Sequence, residues 1–194
     1  MRGPVLLNFT GKKALVIGSG KVGMRRAETL AGYGCFVTCV DKNMEIPEHP
    51  AENIRYVKAY CRIETALDGM DLVVAATDQR DLNAQILENC KLRGIWCNVA
   101  DDPERSDFIF PSVVRRGDLT IAVCTDGASP TLTTQIKKEL EEKYDESYAE
   151  RLRLLKQLRR HILKTAPSAA AKKRQLKELA ELTIEELQRE VEKI

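Results

Sequence analysis

The chain has 194 residues, 43% of them hydrophobic and 31% charged, and 31 Lys and Arg against 29 Asp and Glu leave a net charge of +2. That is room for one sizeable domain, or one domain with a smaller addition, and enough apolar material for a true core. The even charge balance gives no global basic field for nucleic acid, the 5% aromatic content argues against base-stacking platforms, and no apolar stretch approaches the roughly 18 residues of a membrane span.

In chain order, Pro4-Val5-Leu6-Leu7 is a short apolar run followed by Lys12-Lys13, a pattern that fails as a signal peptide and makes the cytoplasm the expected location. Ala14-Leu15-Val16-Ile17 is a continuous apolar run and predicts a buried parallel strand. Beyond a glycine loop, Val22, Ala27, Leu30 and Ala31 recur at helical spacing until Gly32 and Gly34 stop the helix. Further strands are expected at 35–40, 54–57, 71–76 and 94–99, with a helix over 79–93 carrying Leu82, Ile86, Leu87 and Cys90. Strands that are buried and alternate with helices predict a doubly wound parallel sheet, because parallel neighbours need crossover connections.

The pattern then changes. Phe108-Ile109-Phe110 and residues 119–123 read as two more strands, separated by a charged turn at Arg115-Arg116-Gly117-Asp118. From Pro130 onward the chain consists almost wholly of helix formers. Leu152, Leu155, Leu158 and Ile162 mark one amphipathic helix, Pro167-Ser168 closes it, and Leu176, Leu179, Leu182, Ile184 and Leu187 predict one or two more. The six cysteines form no C-x-x-C pair and have no histidine near them, so reduced, largely buried thiols are expected and no metal ligands are assigned.

Gly18-Ser19-Gly20-Lys21-Val22-Gly23 matches G-x-G-x-x-G between a predicted strand and a predicted helix, the context that a dinucleotide fingerprint requires. Gly18 allows the tight turn, Gly20 lets the backbone approach a pyrophosphate, and Gly23 permits close helix–sheet contact. Asp41 ends the second strand 18 positions after Gly23. A carboxylate there accepts ribose hydroxyls and repels a 2′-phosphate, favouring NAD over NADP, while the neighbouring Lys42 weakens that exclusion. Thr77, at the end of the fourth strand, is placed to meet the cofactor or to cap the next helix.

Asp101 and Asp102 follow the fifth strand and face the same crevice. A carboxylate there can take a proton as a hydride leaves a substrate; an Asp-Pro turn explains the same residues without chemistry. The loop Thr125-Asp126-Gly127-Ala128-Ser129-Pro130 opens a long helix, with Ser129 as N-cap and Pro130 at the first helical position, or as a second anion-receiving helix start.

These residues carry a resemblance. The sequence is similar to the precorrin-2 dehydrogenase/sirohydrochlorin ferrochelatase family, also found as the N-terminal module of siroheme synthase. Four blocks match in order: Pro4–Leu7 leading to Val16–Gly20; Ala75-Ala76-Thr77-Asp78 with Asn83; Cys97–Asp101 with Phe108-Ile109-Phe110-Pro111; and Gly127–Pro130. The resemblance implies that the acid for proton transfer, and for metal chelation, falls on Asp101. It also places the cofactor loop at Gly20, Lys21 and Val22, the second-strand end at Asp41, Lys42 and Asn43, and a loop hydroxyl at Thr125. Asp102 and Asp126 depart from the family pattern, and the methyltransferase module of the longer fusion is not expected, since the chain stops at Ile194.

The expectation is therefore a Rossmann-type α/β domain over residues 1–110, a dimerisation region over 111–147 and a C-terminal helical domain over 148–194. The resemblance implies NAD-dependent dehydrogenation of precorrin-2 to sirohydrochlorin, in a homodimer. The substrate is a polycarboxylate, so Arg105, Arg115 and Arg116, with Thr125 and Ser129, are its candidate contacts; Lys137 and Lys138 are further cations near the second loop. Two alternatives stand beside this: a bifunctional enzyme that also inserts iron, and a non-catalytic NAD-sensing domain.

Overall fold

The computed structural model describes residues 2–194, which cluster into two compact units, one running to Phe110 and the other from Pro111 to Ile194. The first is built from β1 (Lys13–Ile17), α1 (Lys21–Gly32), β2 (Phe36–Asp41), β3 (Ile54–Lys58), α2 (Ile63–Ala66), β4 (Leu72–Ala75), α3 (Arg80–Arg93) and β5 (Trp96–Val99). The five strands are all parallel in the order β3-β2-β1-β4-β5. The winding reverses between β1 and β4, where Ile17 pairs with Val40 on one side and Ala75 on the other. Such a switch point opens a crevice beyond the strand ends, which is where doubly wound sheets take their ligands.

Both faces of the sheet are buried, and the two-residue period of the strands sorts side chains between them. Ala14, Val16, Val37, Cys39 and Val74 pack with Ala27 and Leu30 of α1. Leu15, Ile17, Val73, Ala75, Cys97 and Val99 pack with Ile86, Leu87 and Cys90 of α3. This explains why the strands read as unbroken apolar runs rather than alternating ones. Each fully buried aliphatic side chain contributes roughly 1.5–3 kcal/mol. Four of the six cysteines are buried in these layers, and all six are free thiols.

One expected strand does not form. Phe108-Ile109-Phe110 is irregular, and the edge of β5 is covered by side chains instead of a ladder. The Cys97 amide donates to Asp107 Oδ2 (2.9 Å), the Val99 amide to Ser106 Oγ (2.8 Å), and Asn98 Nδ2 to the Phe108 carbonyl (2.9 Å). The edge is thereby closed to further pairing. Phe108 and Phe110 turn their rings onto the α1-side core, edge to face at 5.5 Å. Their apolar alternation reflects that packing and not a strand.

In the second unit, β6 (Ser112–Arg116) and β7 (Leu119–Val123) form an antiparallel hairpin, followed by α4 (Pro130–Lys143), α5 (Ser147–Thr165), α6 (Ala169–Glu181) and α7 (Ile184–Val191). The expected turn at Arg115–Asp118 is shorter than its charges suggested. Arg115 and Arg116 belong to β6, paired with Thr120 and Leu119, and only Gly117-Asp118 make the turn, Gly117 with φ +55°. Leu154, Leu158, Leu179 and Leu187 form a small core among α5, α6 and α7. Residues 111–147 and 148–194 fall together in this unit. Across residues 111–147, Val114 alone is buried.

Candidate active site

The glycine loop lies at the switch point, and each glycine answers a different demand. Gly18 has φ +105°, and a Cβ there would stand 2.3 Å from the Ala76 carbonyl oxygen at the end of β4. A Cβ on Gly23 would stand 2.0 Å from the Gly18 carbonyl oxygen, so α1 can begin against the loop only because this residue is glycine. Gly20 differs: a Cβ there meets nothing within 4 Å. The fold does not require glycine at position 20, and the open space in front of it is free for a ligand. The Gly18 amide donates to Val40 O and the Ser19 amide to Asp41. No side chain caps the start of α1, and its first turn holds no acid. The first-turn amides are thus left for an anion, the arrangement that receives a pyrophosphate.

Asp41 ends β2 and ties the loop down. Its Oδ2 accepts from the Ser19 amide at 2.7 Å and its Oδ1 from the Asn43 amide at 2.8 Å. Partial burial pushes the Asp41 carboxyl up, but the Asn43 and Ser19 hydrogen bonds and the Lys42 charge outweigh it and hold the group below the ordinary carboxylate value. The carboxylate is ionised near neutrality with acceptor capacity to spare. Lys21 and Val22 are exposed at the mouth of the same loop.

Between β4 and β5 the structure assembles a hydrogen-bonded chain that runs through a residue the motif reading did not assign a role. Asn83, on α3, is 1% exposed. Its Oδ1 accepts from the Thr77 amide (3.2 Å) and Oγ1 (2.7 Å), and its Nδ2 donates to Thr77 O (3.1 Å) and to Asp101 Oδ1 (3.1 Å). Thr77 Oγ1 also accepts from the Gln79 amide at 3.2 Å, at the N-cap of α3. The contact with Asp101 and the turn role of Thr77 therefore coexist. Arg80 Nε lies 3.5 Å from Asp101 Oδ2, on a side chain 91% exposed. A signal for Asn83 existed in the sequence. Asn83, Ile86, Leu87 and Cys90 are the buried residues of α3, at i, i+3, i+4 and i+7, and a polar residue on an apolar stripe needs partners.

The two adjacent acids are separated by their partners. Asp102 accepts from Arg105 Nε at 2.5 Å and from the Arg105 amide at 3.1 Å, closing the local turn. The Arg105 hydrogen bonds hold the Asp102 carboxyl below its usual range. Asp101 makes no bond within that turn.

In the second unit, Ser129 caps α4, its Oγ accepting from the Leu132 amide at 3.2 Å with Pro130 behind it. Thr125 Oγ1 accepts from the Ser129 amide (3.2 Å) and bonds Thr133 Oγ1 (3.0 Å). Arg116 Nε pairs with Glu146 at 3.2 Å, and Arg115 is exposed. No three His, Cys, Asp or Glu side chains gather as a metal site among the described residues.

A family described as "Putative NAD(P)-binding" matches residues 5–112, and one described as "Sirohaem biosynthesis protein central" matches 116–143. Siroheme synthase 2 of Aeromonas salmonicida is 37% identical over 139 residues, covering 71% of this chain and 29% of its own length. Siroheme synthase of Methylococcus capsulatus is 30% identical over 172 residues, 88% of this chain and 36% of its own. The chain thus spans about a third of the length of the curated relatives it matches. The solved structure of SirC, a precorrin-2 dehydrogenase, superposes with a TM-score of 0.75 at 25% identity, covering 100% of both chains. With a fingerprint at the switch point, an acid held after β5 and family matches across both units, this chain belongs to the NAD(P)-binding family of precorrin-2 dehydrogenases and siroheme synthases.

Proposed function

We propose that the protein is an NAD-dependent dehydrogenase that oxidises precorrin-2 to sirohydrochlorin in siroheme biosynthesis. The observation that carries the reading is the pairing, at one end of one sheet, of an uncapped glycine-loop helix start with a carboxylate held on Asn83. Gly18, Ser19, Gly20, Lys21, Val22 and Gly23 seat the pyrophosphate, while Asp41 with Lys42 and Asn43 meets the adenosine ribose. Thr77 would meet the cofactor's ribose or pyrophosphate. These residues fit the cofactor: the space before Gly20 is open and the first-turn amides are unspent.

Bound at this loop, NAD would supply the acceptor for a hydride from the reduced macrocycle. The substrate gives up a proton as well, and Asp101 takes it, so two electrons leave with the hydride and the proton passes through Asp101 to water. The Asp101 carboxylate must be ionised to do so. Arg105 and Arg80 stand near it as cations for a polycarboxylate; both belong to exposed ion pairs, which exchange partners at little cost. Arg115, Arg116, Thr125 and Ser129 remain candidate substrate contacts from the second unit.

The hairpin and α4 support a homodimer. A two-stranded sheet does not stabilise itself, and between residues 111 and 147 one residue, Val114, is buried. A second copy supplies the missing cover, in keeping with the symmetric assembly of most small enzymes. Six free thiols fit a reducing compartment such as the cytoplasm.

Anaerobic incubation of the purified chain with precorrin-2 and NAD tests the activity. Stoichiometric NADH formation with the spectral change of the extended chromophore is the expected result; NAD binding without turnover would leave an NAD-sensing domain. Light scattering at micromolar concentration should return twice the 21.8 kDa chain mass.

A further inference from the structure

We propose that Asn83 is the positioning residue that selects which oxygen of Asp101 takes the substrate proton: its Nδ2 occupies Oδ1 and leaves Oδ2 as the accepting atom. The inference rests on the reading of Asp101 as the base. Its own support is the direction of the hydrogen bonds around one buried amide.

An amide side chain can be turned either way, and only its partners decide. Here they leave no choice. The Thr77 amide can only donate, and it meets Asn83 Oδ1; the Thr77 carbonyl can only accept, and it meets Asn83 Nδ2. With both backbone groups of one residue clamping the amide, the second Nδ2 hydrogen is aimed at Asp101 Oδ1, which must accept it. An oxygen receiving that bond is the poorer place for a proton. The other oxygen faces Arg80 at 3.5 Å, long for a hydrogen bond, and the exposed guanidinium can turn toward a substrate carboxylate.

The same bond gives Asn83 a second effect. A donor to a carboxylate favours the charged form over the protonated one, so its loss is what a pH profile reads. The other charges near Asp101 are Arg80 on α3 and, on its own loop, Asp102 with Arg105, whose guanidinium also feels the Asp101 charge. None of these is altered by changing Asn83.

The test is the pH dependence of precorrin-2 oxidation by the full chain, with NAD affinity and thermal stability measured beside it. Asn83→Asp keeps size and the acceptor for Thr77 but replaces the donor with a second carboxyl. The expected result is NAD affinity within about twofold of the parent, kcat lowered roughly 10-fold or more, and an acid limb moved to higher pH. Asn83→Ser, which keeps a buried hydroxyl and adds no charge, should move the limb in the same direction by less, and it carries the test if Asn83→Asp does not fold. Lower kcat with an unmoved acid limb in the folded variants would overturn the proposal and leave Asn83 a structural residue. Asp101→Asn separates the underlying reading: if it turns over normally, Asp101 is not the base. If it is inactive while the Asn83 variants keep the parent's acid limb, the positioning role alone fails.

Discussion

The loop that opens α1 and the loop that opens α4 are built from the same kinds of residue and put to opposite uses. Both are short, rich in glycine and hydroxyl side chains, and followed by a helix. At α4 the loop spends its polar groups on itself: Ser129 caps the helix, Thr125 binds Ser129 and Thr133, and Pro130 removes an amide that would need a partner. At α1 the loop is held from outside, by Val40 and Asp41, and the helix start keeps its amides unspent. Residue type alone does not make an anion site. What matters is whether the local hydrogen bonds are already satisfied, and a glycine loop pinned by a neighbouring strand is a way to leave them open.

The same contrast separates Asp101 from Asp102, and it gives the largest predicted effect. Asp102 is spent on Arg105; Asp101 has Oδ1 on Asn83 and Oδ2 at 3.5 Å from the exposed Arg80. Asp101→Ala should retain the fold and NAD affinity yet lose ~10²-fold or more of precorrin-2 oxidation, the scale of a positioned base. Asp102→Ala should cost turnover little. The reverse pattern in steady-state rates would show that the spent carboxylate does the chemistry and would break the comparison.

Next in size are the glycines. A Cβ at Gly20 meets no protein atom within 4 Å, so in Gly20→Val the melting temperature should hold while NAD affinity falls at least about tenfold, or about 1.4 kcal/mol, because the side chain fills the pyrophosphate's space. Gly23→Val drives its Cβ into the Gly18 carbonyl and should lower stability itself. Calorimetric titration beside thermal unfolding distinguishes the two. Unchanged NAD affinity in Gly20→Val would remove the phosphate from this loop.

Asp41 sharpens the comparison, since it is the group that pins the α1 loop. Asp41→Ala should weaken NAD roughly tenfold by freeing the Ser19 amide, and should raise the relative use of NADP by removing a charge that repels the 2′-phosphate. An unchanged NAD-to-NADP ratio would limit Asp41 to holding the loop. The folded carboxyl lies below its ordinary value of about 4, so its contribution is fully present above that value and is lost only as pH falls further. NAD affinity should therefore show no Asp41 titration between neutrality and about pH 5.

Most of the first unit is legible in the sequence because both faces of its sheet are buried. Strands such as 14–17 and 72–75 then become unbroken apolar runs, and the glycine loop announces the switch point. Where side chains rather than ladders complete the structure, periodicity misleads. Phe108–Phe110 alternates like a strand, yet those rings fill the α1-side core while Asp107 and Ser106 close the β5 edge. Arg115 and Arg116 look like a turn because they are charged, but in the hairpin strand Arg115 is exposed and the largely covered Arg116 pairs with Glu146. Asn83 is the instructive omission at the site. Its position on the α3 stripe was visible, and its purpose was not, because Thr77 and Asp101 meet it only once β4 and β5 are neighbours.

The smallest predicted effect tests the α4 side of the comparison. Ser129→Ala removes the side-chain oxygen that accepts from Leu132 and leaves the helix start one partner short. Removing an N-cap costs about 1 kcal/mol. Pro130 has no amide to orphan, so the loss is confined to that one bond. Denaturant unfolding should register a lower midpoint with an unchanged slope, since the surface exposed on unfolding is the same. NAD affinity should stay at the parent value, because the glycine loop of the first unit has its own supports. If Ser129→Ala instead left stability untouched and raised the KM for precorrin-2, the hydroxyl would be a substrate contact and not a spent cap, and the α4 loop would join α1 as a helix start kept open for an anion.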